Sequence, residues 1–246
     1  PTAYGPVDLL GAAYGYAVQI YCDFSAYSDM AIGLAALLGY RFPRNFDQPY
    51  RAASLQEFWR RWHMSLSQWL RDYLYIPLGG SRGGFFSTCR NLLITFLLGG
   101  LWHGASWTFI AWGGIHGLGL CWERIWARVR PAAWRPMPAW LGVIITFHVV
   151  CLAWILFRAE SFPIAMQYLQ GFTHLDGTVA QLTPFLSVLI VLGLALHALP
   201  PRLIESVSAL VARLPSPAVG GFVAITMLVV ESMRPEGIAP FIYYQF

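Results

Sequence analysis

The stretch AWLGVIITFHVVCLAWILF, residues 139–157, decides the fold class. It holds no Asp, Glu, Lys or Arg, and only His148 interrupts it with a strongly polar side chain. A helix needs roughly 20 apolar residues to cross a hydrocarbon core about 30 Å thick. Only a helix or a closed barrel satisfies every backbone N–H and C=O within that core. Residues 104–122 are also uncharged and contain five glycines, which let membrane helices approach closely. Residues 182–199 read as a third span and 217–230 as a shorter fourth. Residues 91–101 are apolar but too short to cross alone, so they read as re-entrant or buried.

Composition agrees with this assignment. Hydrophobic residues make up 57% of the 246, charged residues 11%, and mean hydropathy is +0.53. A soluble domain carries about 25% charge. Disordered, fibrous and ordinary soluble-enzyme classes are therefore excluded. The four cysteines, at 22, 89, 121 and 151, form no CxxC and match no disulfide or metal framework. They read as small buried apolar residues, and no metal site is expected.

All 16 basic residues are Arg. The net charge is +4, and residues 41–90 alone sum to +5, with eight Arg against Asp47, Glu57 and Asp72. Short basic connections stay on the cytoplasmic side of membranes, so 41–90 is placed there. Nucleic-acid binding is rejected because these Arg are interleaved with Trp and Leu between membrane segments. The chain begins at Pro1 without Met, shows no signal peptide, and reads as a fragment.

Residues 7–40 place YCDFSAYSD (21–29) between two apolar stretches. Asp23 and Asp29 are expensive in lipid. They read as a packed hydrogen-bond cluster, as cavity lining, or as groups with direct chemistry. Residues 54–76 read as one amphipathic helix opened by a Ser54/Glu57 capping box. Trp59, His63, Leu66, Leu70 and Tyr73 share one face, and Arg60, Ser67 and Arg71 share another. Pro77 and GGSRGG (79–84) end it as a turn that lacks the spacing of a phosphate-binding loop.

His103 lies in GGLWHGAS (99–106), collared by Gly99, Gly100 and Gly104 and flanked by Trp102 and Trp107 as walls. It reads either as a hydrogen-bonded packing residue or as a neutral imidazole serving as a base near pH 7. His63 reads as an interfacial histidine or a site residue. His116 would lie about 220° from His103 on one continuous helix. His148, His174 and His197 read as structural.

Three ordered segments carry a resemblance: QIYCDFSAYSDMAIGLAALLGYRFPRNFDQPY (19–50), EFWRRWHMSLSQWLRDYLYIPLGG (57–80) and NLLITFLLGGLWHGASWTFIAWGGIHG (91–117). Together they resemble the membrane-bound O-acyltransferase family, in its bacterial branch of alginate O-acetylation membrane subunits. Weaker echoes are WILFRAESF (154–162) and APFIYYQF (239–246). The resemblance implies an all-α polytopic membrane protein, a partial ring of transmembrane and re-entrant helices forming one domain over 1–246. Further N-terminal helices of the family would precede it.

The resemblance also implies transfer of an acyl group, acetyl by preference, from a cytoplasmic thioester on coenzyme A or an acyl carrier protein. The acceptor would be an extracytoplasmic polysaccharide or an acyl-relay protein. D-alanyl and peptidoglycan acyl transfer are the alternatives within the family. His103 falls on the family's essential histidine and His63 on its second polar position. Trp59, Trp102, Arg60 and Arg71 are the substrate-contacting candidates, the Arg by attracting an anionic donor. The thioester is a substrate, and no bound cofactor is expected. The rival class is a proton-coupled transporter using Asp23, Asp29, His103 and His116 as a relay.

Overall fold

A computed structural model of the chain describes residues 4–131, 133, 137–174 and 181–232. The described residues form helices joined by turns, with no strand among them. The 239–246 echo, and parts of the connections at 128–138 and 171–181, lie outside them. By backbone contacts the chain forms two compact units, residues 1–194 and 195–246. The second unit carries α9 (Pro201–Val211) and α10 (Ser216–Ser232). Every candidate site residue belongs to the first.

The first unit begins with α1 (Pro6–Leu37), one unbroken helix through the polar centre of 21–29. At 1.5 Å per residue it is about 48 Å long. Asp8 near its start accepts from the backbone N–H groups of Gln181 (3.2 Å) and Leu182 (2.8 Å), tying a distant segment to it. Asp29 is exposed and Asp23 half-buried, so the two do not form the buried cluster that was one reading of them. Cys22 is also exposed, while Cys121 and Cys151 are buried. Cys89 is half-buried, so the expectation of buried cysteines holds for two of the four.

The amphipathic segment is not one helix. It divides into α2 (Leu55–Arg61) and α3 (Met64–Leu70), followed by a π-turn at Arg71–Tyr75. The break falls at His63, whose backbone is left-handed (φ 43°). That conformation is uncommon outside glycine and costs energy that packing must supply. Its consequence is that Tyr73, expected on the buried face, is exposed, while Trp59, Leu66 and Leu70 are buried. The Ser54 cap forms: its Oγ accepts from the Glu57 N–H at 3.1 Å, and Glu57 Oε2 accepts from the Ala53 N–H at 2.8 Å. Glu123 adds a second cap by accepting from the N–H groups of Leu55 and Gln56.

The stretch 91–101 is the middle of a longer helix, α4 (Gly84–His103), which begins inside the glycine turn. The turn hides this start because Gly84 adopts φ 85° and Arg90 interrupts the apolar run. Together with α6 (Ala139–Arg158) it is long and apolar enough to cross a membrane, and no other single described helix is. Helix α5 (Trp107–Val129) has the length. Its apolar character is diluted by glycine and indole and by Glu123, Arg124 and Arg128. Helix α8 (Pro184–His197) is shorter than the span expected at 182–199, and α10 covers the shorter fourth stretch at 217–230 as a 17-residue apolar helix.

Helices α4 and α5 form the tightest pair. A Cβ on Gly100 would collide with the Phe109 carbonyl, and one on Gly113 with the Phe96 carbonyl. Of the glycines read as a collar for His103, Gly100 thus brings two backbones together, while Gly99 faces the Leu70 side chain and Gly104 the Phe109 ring. Gly142 of α6 likewise sits against the Ala53 carbonyl. The short helix α7 (Phe162–Gly171) is bound to α1 through Tyr168 Oη, which donates to the Leu9 carbonyl. Many large apolar side chains remain exposed, among them Leu34, Leu37, Trp122 and Ile144, as lipid-facing surfaces require.

Candidate active site

His63 and His103 are brought to one place. His103 ends α4 and is packed by the rings of Trp102 (5.0 Å), Trp112 (5.1 Å) and Phe157 (5.0 Å), with Phe109 at 6.1 Å. Neither of its ring nitrogens has a hydrogen-bond partner among the described residues. Its walls therefore come from α5 and α6. Trp107, expected as a wall, is exposed; it starts α5 pointing away, because the chain reverses at 104–106. Trp102 adjoins the imidazole but is itself more than half exposed.

His63 sits at the break between α2 and α3, edge-on to Phe24 (4.7 Å) and stacked on Phe46 (6.5 Å). Burial among these rings lowers its pKa to about 4, and a like charge on His103 is the smaller second cause. The two imidazoles are thus within electrostatic reach, although 40 residues separate them. His63 Nδ1 lies 3.3 Å from Asn45 Oδ1. That oxygen also accepts from the Ser65 N–H (3.1 Å) and the Ser65 hydroxyl (3.0 Å), while Asn45 Nδ2 donates to Ser28 Oγ (3.2 Å). An amide oxygen only accepts, so this bond places the proton on Nδ1 and leaves Nε2 as a lone pair. Asn45 was missed in the sequence reading; its signal was the NF dipeptide within 19–50, which carries no recognisable spacing to His63.

Trp154 of α6 joins the neighbourhoods of the two histidines. Its ring lies 5.0 Å from Trp62, the residue before His63, and 5.3 Å from Phe157, which touches His103. His116 does not share a helix with His103, because the turn at 104–106 separates α4 from α5. Trp112 contacts both imidazoles, at 5.1 and 5.0 Å. His116 is fully buried and accepts from the Trp59 indole N–H at 3.2 Å.

A cavity of about 620 Å³ opens on the other side of this aromatic layer. Trp59, Leu70 and Phe96 form its apolar floor, and Arg60, Arg71 and Arg124 line its polar side. Trp59 thus presents its ring to the cavity while its N–H is engaged with His116. Arg71 pairs with its neighbour Asp72 at 2.7 Å, both being exposed. Glu57 pairs with Arg61 instead of Arg60, which leaves Arg60 without an ionic partner among the described residues. Arg124, from α5, joins this group only through the fold. Of the proposed relay acids, neither Asp23 nor Asp29 hydrogen-bonds to a histidine among the described residues. His148 is held by Tyr14 Oη (2.7 Å) and the Ile144 carbonyl (2.7 Å), as a structural residue would be.

A family model described as MBOAT, membrane-bound O-acyltransferase family, matches residues 9–162. A protein of Azotobacter vinelandii named "Probable alginate O-acetylase AlgI" is 52% identical over 69% of this chain and 34% of its own length. A peptidoglycan O-acetyltransferase of Helicobacter pylori is 46% identical over 66% of the chain and 31% of its length. A teichoic acid D-alanyltransferase of Streptococcus thermophilus is 36% identical over 60% and 40%. The chain spans about a third of the length of the curated relatives it matches.

Proposed function

Because this chain belongs to the membrane-bound O-acyltransferase family, we propose that it forms the reaction centre of a membrane O-acetyltransferase. The observation that carries the proposal is that His63 and His103 lie within electrostatic reach and are linked by ring contacts through Trp62, Trp154 and Phe157, with an arginine-lined cavity on the far side of Trp59. The donor is an acetyl thioester on coenzyme A or an acyl carrier protein, and the acceptor is a hydroxyl of an extracytoplasmic polysaccharide or of a relay protein. The similarity to alginate O-acetylases supports the polysaccharide reading and acetyl as the group. The weaker similarity to a D-alanyltransferase makes D-alanyl transfer the second choice.

In this reaction the acceptor oxygen attacks the thioester carbonyl carbon while His103 takes the hydroxyl proton. Collapse of the intermediate breaks the C–S bond. The thiolate leaves and the acyl group remains as an ester. His63, with its proton on Nδ1, offers Nε2 only as an acceptor. Its role in this reading is to orient a donor or acceptor N–H or O–H; protonating the thiolate or donating to the oxyanion would need an imidazolium, which a pKa of about 4 disfavours. Arg60, Arg71 and Arg124 attract the anionic donor to the cavity. In this reading residues 41–90 lie at the cytoplasmic face of a cell inner membrane, a reading supported by the positive-inside bias.

The test is reconstitution of the full-length protein with a radiolabelled acetyl thioester and a polyhydroxyl acceptor. Label recovered as an alkali-labile ester supports the proposal. Proton flux without ester formation would establish the transporter class instead.

A further inference from the structure

Helix α2 has seven residues and ends at Arg61, two positions before His63. An isolated helix shorter than about 12–15 residues is marginal in water, so α2 stands where its neighbours hold it. Helix α5 holds it along one line of contacts. The Trp59 indole N–H donates to His116 Nδ1 at 3.2 Å, and the Phe58 ring stacks on the same imidazole at 6.0 Å. The Leu55 side chain fills the space that a Cβ on Gly119 would take. The Glu123 carboxylate accepts from the N–H groups of Leu55 and, at 3.2 Å, of Gln56. Residues 116, 119 and 123 share one face of α5, and 55 and 59 share one face of α2.

The order of these contacts runs α2 antiparallel to α5. The end of α2, and His63 after it, therefore lie toward the first half of α5. There Trp112, one turn before His116, packs on His116 at 5.0 Å and on His103 at 5.1 Å. One helix thus carries both the register of α2 and a wall of His103. Glu123 anchors the far end of this arrangement. The first N–H groups of a helix have no partner inside it. Ser54 Oγ takes that of Glu57, and Glu123 takes the two before it, one with each oxygen. A carboxylate accepts on both oxygens, whereas an amide side chain accepts on one and turns an N–H donor toward the other partner. Glu123 lines the same cavity as Arg60 and Arg124, yet it forms no ion pair with either among the described residues. Both of its oxygens are committed to α2.

We propose that Glu123 is a positioning residue for acyl transfer: it locks α2 in register along α5 and, through α2, sets where His63 stands relative to His103. It hydrogen-bonds to neither imidazole among the described residues, so its effect reaches the reaction through helix placement. A slip of α2 against α5 moves His63 while His103, at the end of α4, stays in place. A displacement of about 1 Å between reacting groups costs up to about a hundredfold in rate. The proposal rests on the acyl-transfer reading for the reaction it affects; the lock itself does not.

The test uses the full-length protein in nanodiscs, with a radiolabelled acetyl thioester and a polyhydroxyl acceptor. Glu123→Gln should lower kcat about 10- to 100-fold. Donor KM should not rise, since removing a negative charge beside Arg60 and Arg124 favours an anionic donor. In an Asn45→Ala background the His63 ring has already lost its orienting oxygen. There the further loss should shrink to within about twofold, because changes that act through one group are not additive. A kcat kept at the wild-type value overturns the proposal, and a lowered KM beside it reduces Glu123 to a cavity charge. An equal loss of kcat in both backgrounds overturns it too, by showing a disturbance that does not pass through His63. Glu123→Asp keeps both oxygens and shortens the reach by one methylene; where Glu123→Gln fails to insert, the aspartate variant is read in the same way. Hydrogen exchange is scored apart from activity. Amides of residues 55–61 should exchange faster in the variant, and unchanged exchange overturns the lock. Faster exchange in the variant with no ester formed by the wild type sinks the acyl-transfer reading and leaves the lock standing.

Discussion

The Trp59 indole N–H donates to His116 Nδ1 across 3.2 Å, and both residues are buried. This bond fixes the wall between the arginine-lined cavity and the ring cluster around His103, because Trp59 also packs on Phe96 at 4.9 Å and Trp112 at 5.8 Å. His116 Nε2 then carries the proton and has no hydrogen-bond partner among the described residues. Trp59→Phe leaves Nδ1 orphaned as well. The variant should lose about 1–3 kcal/mol of stability, read by thermal unfolding in detergent, and the double variant Trp59→Phe, His116→Phe should recover part of it. If the double variant is less stable than the single one, the bond is not what holds this wall.

His103→Ala in the full-length protein should lower ester formation by about 10²–10⁴-fold, the usual contribution of an acid–base imidazole. Membrane insertion and detergent stability should be retained, since His103 is packed by rings and hydrogen-bonded to no group among the described residues. Activity within a few-fold of wild type would remove His103 from proton transfer.

His63 and Asn45 should control the acid limb of the pH profile. With a pKa of about 4, His63 is neutral from pH 8 down to near 5, and its contribution to activity should be flat there. Its folded pKa lies below its unfolded value of about 6.5. The folded state therefore resists protonation. Stability from this group is complete above about pH 6.5 and is lost as the pH falls from there through 4. Asn45→Asp keeps the acceptor and adds a negative charge, which favours the imidazolium and should move the acid limb to higher pH. Asn45→Ala removes the orienting oxygen and should lower kcat about tenfold with donor KM unchanged. An acid limb that ignores Asn45→Asp would show that His63 does not shape it.

Arg60→Gln and Arg71→Gln should each raise donor KM about two- to fivefold at low salt, the size expected of an exposed charge. The effect should fade at physiological ionic strength, where screening acts beyond about 8 Å, and kcat should hold. Arg71 should show the smaller change, because Asp72 already neutralises it. A salt-independent KM would assign these Arg to lipid headgroups or ion pairing.

The sequence by itself determined the solvent and the family. The uncharged run at 139–157 is helix α6, and the Ser54/Glu57 pattern is a helix start. Both are legible because helix burial in lipid and N-capping depend on residues adjacent along the chain. The family motifs singled out His63 and His103, although their spacing gave no reason for the two to meet. Tertiary structure decided what local pattern cannot hold. A 3.6-residue period assumes an unbroken helix, and the left-handed backbone at His63 ends α2 and exposes Tyr73. The reversal at 104–106 turns one apparent helix into the pair α4 and α5. It brings Phe109 and Trp112 onto His103 and sends Trp107 outward. Asn45, Arg124 and Trp154 reach their positions only through contacts between distant segments. Such contacts follow from shape complementarity between helices, to which glycines at 100, 113 and 142 contribute by letting backbones touch, and no periodicity along one segment records them.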